Sequence, residues 1–237
     1  MPVLPITVCH RGASALAPEN SLAAFRLAMA FGVDYSELDV HLSGDGHLIV
    51  THDGVYERDG QPVDATHLPA AELDVPRLVD VFELVRGRMG LYVELKGDGT
   101  AHALATCIRA GAAQAVTLIA GSARLELVAE LRQAAPEVPS SILFGAGWQT
   151  AEMIVACHDL GVTYAHPCFR PVGGFGPLIE ALHAAGLHTM TPHTNDPLEA
   201  RYFAALGVEV IASDDPRVLL ALRQQFGHPA PSGRNHL

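Results

Sequence analysis

The chain has 237 residues, of which 49% are hydrophobic and 17% charged, and its net charge is −11. The apolar share fits one large α/β domain, and the acidic balance argues against a nucleic-acid partner, which needs clustered Lys and Arg. An anionic small molecule would need a site made locally positive by a metal or a few placed cations.

The predicted elements alternate along the chain. A strand over 6–9 leads to a helix over 22–30, with Pro18-Glu19-Asn20-Ser21 as start signal and Gly32 as stop. A strand over 35–42 follows, then an extended segment over 47–51 reached through the Asp45-Gly46 turn. Residues 54–76 are polar and irregular, and read as a small insertion or lid over a barrel mouth. Beyond them, helices over 79–86, 101–109, 124–134, 151–160, 177–185, 197–206 and 216–226 alternate with strands over 91–95, 115–119, 140–144, 162–166, 188–191 and 208–212. About eight strand–helix units predict a (β/α)8 TIM barrel formed as one domain over 1–237. Residues 227–237 read as a flexible tail. No Gly-x-Gly-x-x-Gly follows the first strand, which argues against a dinucleotide fold.

No basic start followed by a long apolar run marks a signal peptide, and no apolar stretch of about 18 residues marks a transmembrane segment. The four cysteines, Cys9, Cys107, Cys157 and Cys168, form no CxxC pair. A soluble cytoplasmic protein without structural zinc is expected. The oligomeric state stays open.

Chemistry in such barrels sits at the C-terminal ends of the strands. Those ends hold His10-Arg11-Gly12, then Glu37 and Asp39, then His52-Asp53, then Glu94 and Lys96. Side chains alternate faces along a strand, so Glu37 shares a face with Asp39, and Glu94 with Lys96. Paired carboxylates inside a strand need a positive partner. A third carboxylate from the neighbouring strand makes a hard, all-oxygen set that suits Mg²⁺ or Ca²⁺. His10 and His52 flank this set and are suited to moving protons near neutral pH, while Arg11 and Lys96 could balance phosphoryl charge. His41 shares the parity of Glu37 and Asp39, and His166 and His193 stand at predicted strand ends where they could line the pocket.

The run His10-Arg11-Gly12, Pro18-Glu19-Asn20-Ser21, Glu37-Leu38-Asp39-Val40, Asp45-Gly46 and His52-Asp53 resembles the signature of the glycerophosphodiester phosphodiesterase family. Glu94-Leu95-Lys96, Asn195-Asp196-Pro197 and Ala212-Ser213-Asp214-Asp215-Pro216 resemble its later motifs. The resemblance implies one divalent metal ion and hydrolysis of a small-molecule glycerophosphodiester to glycerol 3-phosphate and an alcohol. It makes His10 and His52 the acid/base pair, Glu37, Asp39 and Glu94 the metal ligands, and Arg11, Lys96, Glu19 and Asn20 the substrate contacts. Where the family usually carries Trp-Thr-Val before Asn195, this chain has Pro192-His193-Thr194, so a wall of the expected pocket is changed. Two other readings use the same residues: a sphingomyelinase-D-like transfer that yields a cyclic phosphate, and a barrel that binds a phosphorylated metabolite without turnover.

Overall fold

The computed structural model describes residues 4–225, so the predicted tail over 227–237 lies outside the described residues. Eight parallel strands follow one another around a barrel: β1 (Ile6–Cys9), β2 (Tyr35–Leu42), β6 (Gly90–Leu95), β7 (Leu118–Ser122), β8 (Ser140–Phe144), β9 (Tyr164–Pro167), β10 (His188–Thr189) and β11 (Val210–Ser213). β3 (Leu48–Val50) runs antiparallel to the end of β2. Helices α1 (Leu22–Phe31), α2 (Leu78–Val85), α3 (Thr100–Arg109), α4 (Leu125–Ala134), α5 (Thr150–Leu160), α6 (Phe175–Ala184), α7 (Pro197–Ala205) and α8 (Pro216–Gln225) wrap the outside. Among the described residues, no helix is long and apolar enough to cross a membrane.

Local chemistry sets several helix ends. The Ser21 side chain accepts from the Ala24 amide at the start of α1, and Gly32 closes that helix in the left-handed region at φ 71°. Asp196 caps α7 in the same way, with Pro197 at the first helical position.

Two cores result from strand alternation. Leu38, Val40, Leu91, Val93 and Leu95 point outward and pack in the large cluster shared with the helices. Val8, Tyr92, Ile119, Leu143, Met190 and Val210 point inward and fill the barrel. The alternation continues into the strand ends, so the inward row of β2 carries Tyr35 to Glu37 and Asp39, and that of β6 carries Tyr92 to Glu94. Parallel register sets Asp39 opposite Glu94 and Glu37 opposite Tyr92.

The barrel closes weakly between β10 and β11, where a single bridge joins Met190 to Val210. Glu209 reinforces this seam. Its carboxylate accepts from the Thr189 amide and hydroxyl, both at 2.8 Å, and stands 3.2 Å from His183 Nε2 and 3.3 Å from His188 Nδ1.

Some boundaries differ from the sequence reading. The strand expected over 115–119 is Leu118–Ser122, because Ala115 takes a left-handed turn (φ 59°) and pairing with β6 begins at Leu118. The strand expected over 208–212 is Val210–Ser213, set by its pairing with Ile6–Cys9. Residues 54–76 are more regular than expected. They hold a hairpin, β4 (Val55–Arg58) and β5 (Gln61–Asp64), and a short 3₁₀ turn, packed on a small core of Ile49, Ala65, Ala70 and Leu73.

Candidate active site

Glu37, Asp39 and Glu94 converge at the C-terminal mouth of the barrel, with one carboxylate oxygen from each within 4.8 Å of the others. Asp39 is 1% exposed and Glu37 5%. Burial, then repulsion from Asp39 and Glu94, drives the Glu37 carboxyl well above the ordinary range. Burial raises Glu94 as well, with Lys96 pulling the other way.

Strained backbone holds this set in place. Arg11 and Asn20 both lie in the left-handed region, at φ 55° and 54°. The Arg11 amide donates to Glu37 Oε2 at 2.9 Å, Asn20 Nδ2 donates to Asp39 Oδ2 at 2.9 Å, and the Asn20 amide donates to the Arg11 carbonyl at 2.9 Å. Gly12 (φ 80°) completes the turn, and a Cβ there would lie 2.5 Å from Ala24 Cβ.

The two expected phosphate cations face the carboxylates. Lys96 Nζ stands 2.7 Å from Glu94 Oε1 and 3.2 Å from Asp39 Oδ1, and Arg11 Nε stands 3.2 Å from Asp39 Oδ2. Neither contact to Asp39 is aligned as a hydrogen bond, so Arg11 Nε and Asp39 Oδ1 are buried without a hydrogen-bond partner. Glu19 is exposed and holds Arg11 Nη1 through both oxygens at 3.0 Å. A hard divalent cation fits this set: the donors are all oxygen, and one buried oxygen has no hydrogen-bond donor. With all three inner carboxylates ionised, as metal ligation would require, they exceed the two cations by one negative charge. A divalent ion turns that to one positive, which a phosphodiester monoanion neutralises.

His10 reaches the same centre. Its Nδ1 lies 2.7 Å from Asp214 Oδ1, and its Nε2 lies 4.0 Å from Glu37 Oε2. Against the upward push of burial, hydrogen bonds from His10 and Asn195 hold the Asp214 carboxyl far below its usual range. An ionised Asp214 can only accept, so Nδ1 carries the proton and Nε2 faces the carboxylates. Asn195 fixes Asp214 in turn, donating to Oδ2 at 2.7 Å and accepting from the Asp214 amide at 3.0 Å. His10, His193 and Asp214 also gather closely. The two rings lie parallel, however, and His10 Nδ1 is already committed, so their lone pairs do not converge on one ion.

His52 sits on the loop after β3. Its ring is one-third exposed with Nδ1 3.1 Å from Asp53 Oδ1, and its carbonyl contacts His41 Nε2 at 3.1 Å. His41 therefore supports the His52 loop. Asp214 and Asn195 belonged to recognised late motifs but had no role in the sequence reading. Parity along Val210, Ala212 and Asp214 would have exposed the inward carboxylate had the last strand been placed two residues later.

Comparison with known proteins agrees with this geometry. Residues 10–77 match the model of the glycerophosphoryl diester phosphodiesterase family. A glycerophosphodiester phosphodiesterase of Caldanaerobacter subterraneus is 29% identical over 94% of this chain and 99% of its own length. Along nearly its whole length the chain is similar to glycerophosphodiester phosphodiesterases. Members of this family are phosphoric diester hydrolases. The glycerophosphodiester phosphodiesterase of Agrobacterium tumefaciens superposes with a TM-score of 0.74 at 29% identity, covering 91% of this chain and 99% of that one. An Oleispira antarctica phosphodiesterase, solved with its product sn-glycerol-3-phosphate, superposes with a TM-score of 0.81 at 25% identity, covering 93% of this chain and 97% of that one.

Beside the carboxylates, the protein has a cavity of about 270 Å³ over an apolar floor of Val8, Leu143, Met190 and Val210. Its wall includes a hydrogen-bonded chain. His166 Nε2 faces the Thr191 carbonyl at 3.1 Å and so carries the proton, leaving Nδ1 to accept from Tyr92 Oη at 3.0 Å, which in turn lies 2.8 Å from Ser141 Oγ. Protein surrounds the His166 ring although the cavity gives it some solvent contact, and this burial pushes its pKa down to about 4. The unfolded chain takes up a proton near the ordinary 6.5, so this ring's contribution is complete above that pH and is lost as the pH falls toward about 4. At most about 3.5 kcal/mol is at stake, from ~1.4 kcal/mol per pKa unit. Urea midpoints between pH 7 and 4 should therefore fall more steeply for the wild type than for His166→Gln. Equal slopes would contradict a neutral buried ring.

Proposed function

We propose that the protein hydrolyses glycerophosphodiesters to glycerol 3-phosphate and an alcohol, using one Mg²⁺ or Ca²⁺ held by Glu37, Asp39 and Glu94 and proton transfer by His10 and His52. The observation that carries this reading is the convergence of three buried carboxylates beside a histidine whose tautomer is fixed by Asp214. The product bound to the Oleispira relative supports the substrate class.

In this reading, one histidine takes a proton from the attacking water as its oxygen bonds to phosphorus. The other gives a proton to the alcohol oxygen as its bond to phosphorus breaks. When bound, the divalent ion supplies positive charge against the phosphoryl oxygens. Arg11 and Lys96, now turned to carboxylates, would supply positive charge to the phosphate. Asn20 acts through its hold on Asp39, and Glu19 through its hold on Arg11. The hairpin insertion, whose first strand begins three residues after His52, serves in this reading as a lid on that side of the mouth. Four unpaired cysteines suit a reducing cytoplasm.

Turnover of glycerophosphocholine and related diesters, measured in parallel with Mg²⁺, Ca²⁺, Mn²⁺ and chelator, tests the proposal. Release of glycerol 3-phosphate that stops with chelator is expected. Turnover indifferent to chelator would remove the metal from the reading, and a cyclic phosphate that persists in ³¹P NMR would replace hydrolysis by internal transfer.

A further inference from the structure

We infer that His193 is a positioning residue for His10, fixing the plane of its imidazole by a face-to-face stack so that Nε2 stays aimed at the carboxylate site. The inference rests on His10 being a proton carrier. The two ring centroids are 4.2 Å apart and the planes differ by 8°. The covalent link at Cγ and the hydrogen bond from Nδ1 to Asp214 hold one edge of the His10 ring and leave its plane to tilt about that edge. A parallel neighbour removes the tilt, because leaving the plane would break the stack.

The surroundings make His193 a support rather than a competitor. Asp214 Oδ2, its near carboxylate oxygen, is 3.8 Å from His193 Nε2 and is already taken by Asn195 at 2.7 Å. Burial, together with the nearby His10, Arg11 and Arg170, pushes the His193 pKa down despite the pull of Asp214, so a neutral ring faces His10. The backbone behind it is pinned to the strand that bears Asp214. The Thr194 amide donates to the Ala212 carbonyl at 2.9 Å, and Asn195 Oδ1 accepts from Ser213 Oγ at 2.9 Å. One anchored frame thus presents both the Asp214 carboxylate and the His193 ring to His10. Precise orientation of this kind matters because small misplacements of a catalytic group carry large rate costs.

Steady-state kinetics of His193→Ala and His193→Phe, beside the wild type and His10→Ala, test the inference. His193→Ala should lower kcat by about 10- to 100-fold with KM changed less than about threefold. His193→Phe keeps a flat ring without nitrogen and should recover kcat to within about threefold of the wild type. The upfield ring-current shift of the His10 carbon-bound protons should persist in the Phe variant and vanish in the Ala variant. The inference fails if His193→Ala turns over normally, if Phe rescues no better than Ala, or if only KM moves. Normal turnover by His10→Ala would instead remove the proton-carrier reading beneath it, and the stack would lose its catalytic meaning with it.

Discussion

Replacing His10 or His52 by alanine is expected to lower kcat by about 10³-fold while far-UV circular dichroism and melting temperature stay near those of the wild type. His10 is 21% exposed at its side chain and lines the cavity at the barrel mouth, so truncation enlarges that cavity and leaves the helix-facing core untouched. Asp214 keeps the hydrogen bond from Asn195 Nδ2 at 2.7 Å and is not stranded. The loss therefore reports proton transfer. The leaving group separates the two histidines: a diester that releases p-nitrophenolate needs no proton on its departing oxygen. The variant lacking the acid should recover most of its rate on such a substrate, and the variant lacking the base should not. A kcat within about tenfold of the wild type for either alanine variant, on a natural diester, would remove that histidine from the reaction.

Glu37→Gln is expected to give opposite results with and without metal. In chelator, the variant should be as stable as the wild type or more so, because a buried carboxylate crowded by Asp39 and Glu94 is replaced by a neutral isostere that still accepts from the Arg11 amide. The raised Glu37 carboxyl costs the wild-type fold stability as the pH climbs above its ordinary value of 4.5, so the gain should appear at pH 7 and vanish near pH 4. With Mg²⁺ or Ca²⁺ added, the order should reverse. Wild-type protein should gain about 2.7 kcal/mol when free metal reaches ~100 times Kd, while the variant gains little and does not turn over. Melting curves at pH 7 and pH 4, each with chelator and with saturating metal, read all four arms. An equal metal-induced shift in both proteins would show that Glu37 is not a ligand.

Much of the centre was legible because strand alternation is local. Glu37 with Asp39 and Glu94 with Lys96 follow from period-two geometry, and their apolar neighbours Leu38, Val40, Val93 and Leu95 sit on the helix-facing side as that geometry requires. The Ser21 cap and the Gly32 stop were readable for the same reason, since each depends on residues within one helical turn. Strand limits were less legible. Leu118 and Val210 begin their strands where a neighbouring strand offers partners, not where the apolar run begins.

The sequence by itself determined the alternating units, the inward parity of the carboxylates and the placing of His10 just beyond the first strand. Only the tertiary structure decided what each of these touches. His10 and Asp214 are 204 residues apart in sequence and meet because β1 and β11 pair in a register that sets Cys9 beside Ser213. The His193 stack on His10, the left-handed Arg11 and Asn20 that grip Glu37 and Asp39, and the Glu209 contacts across the β10–β11 seam arise in the same way. Period and capping are short-range properties of the chain, whereas these contacts exist only once the sheet has closed on itself and brought its first and last strands together.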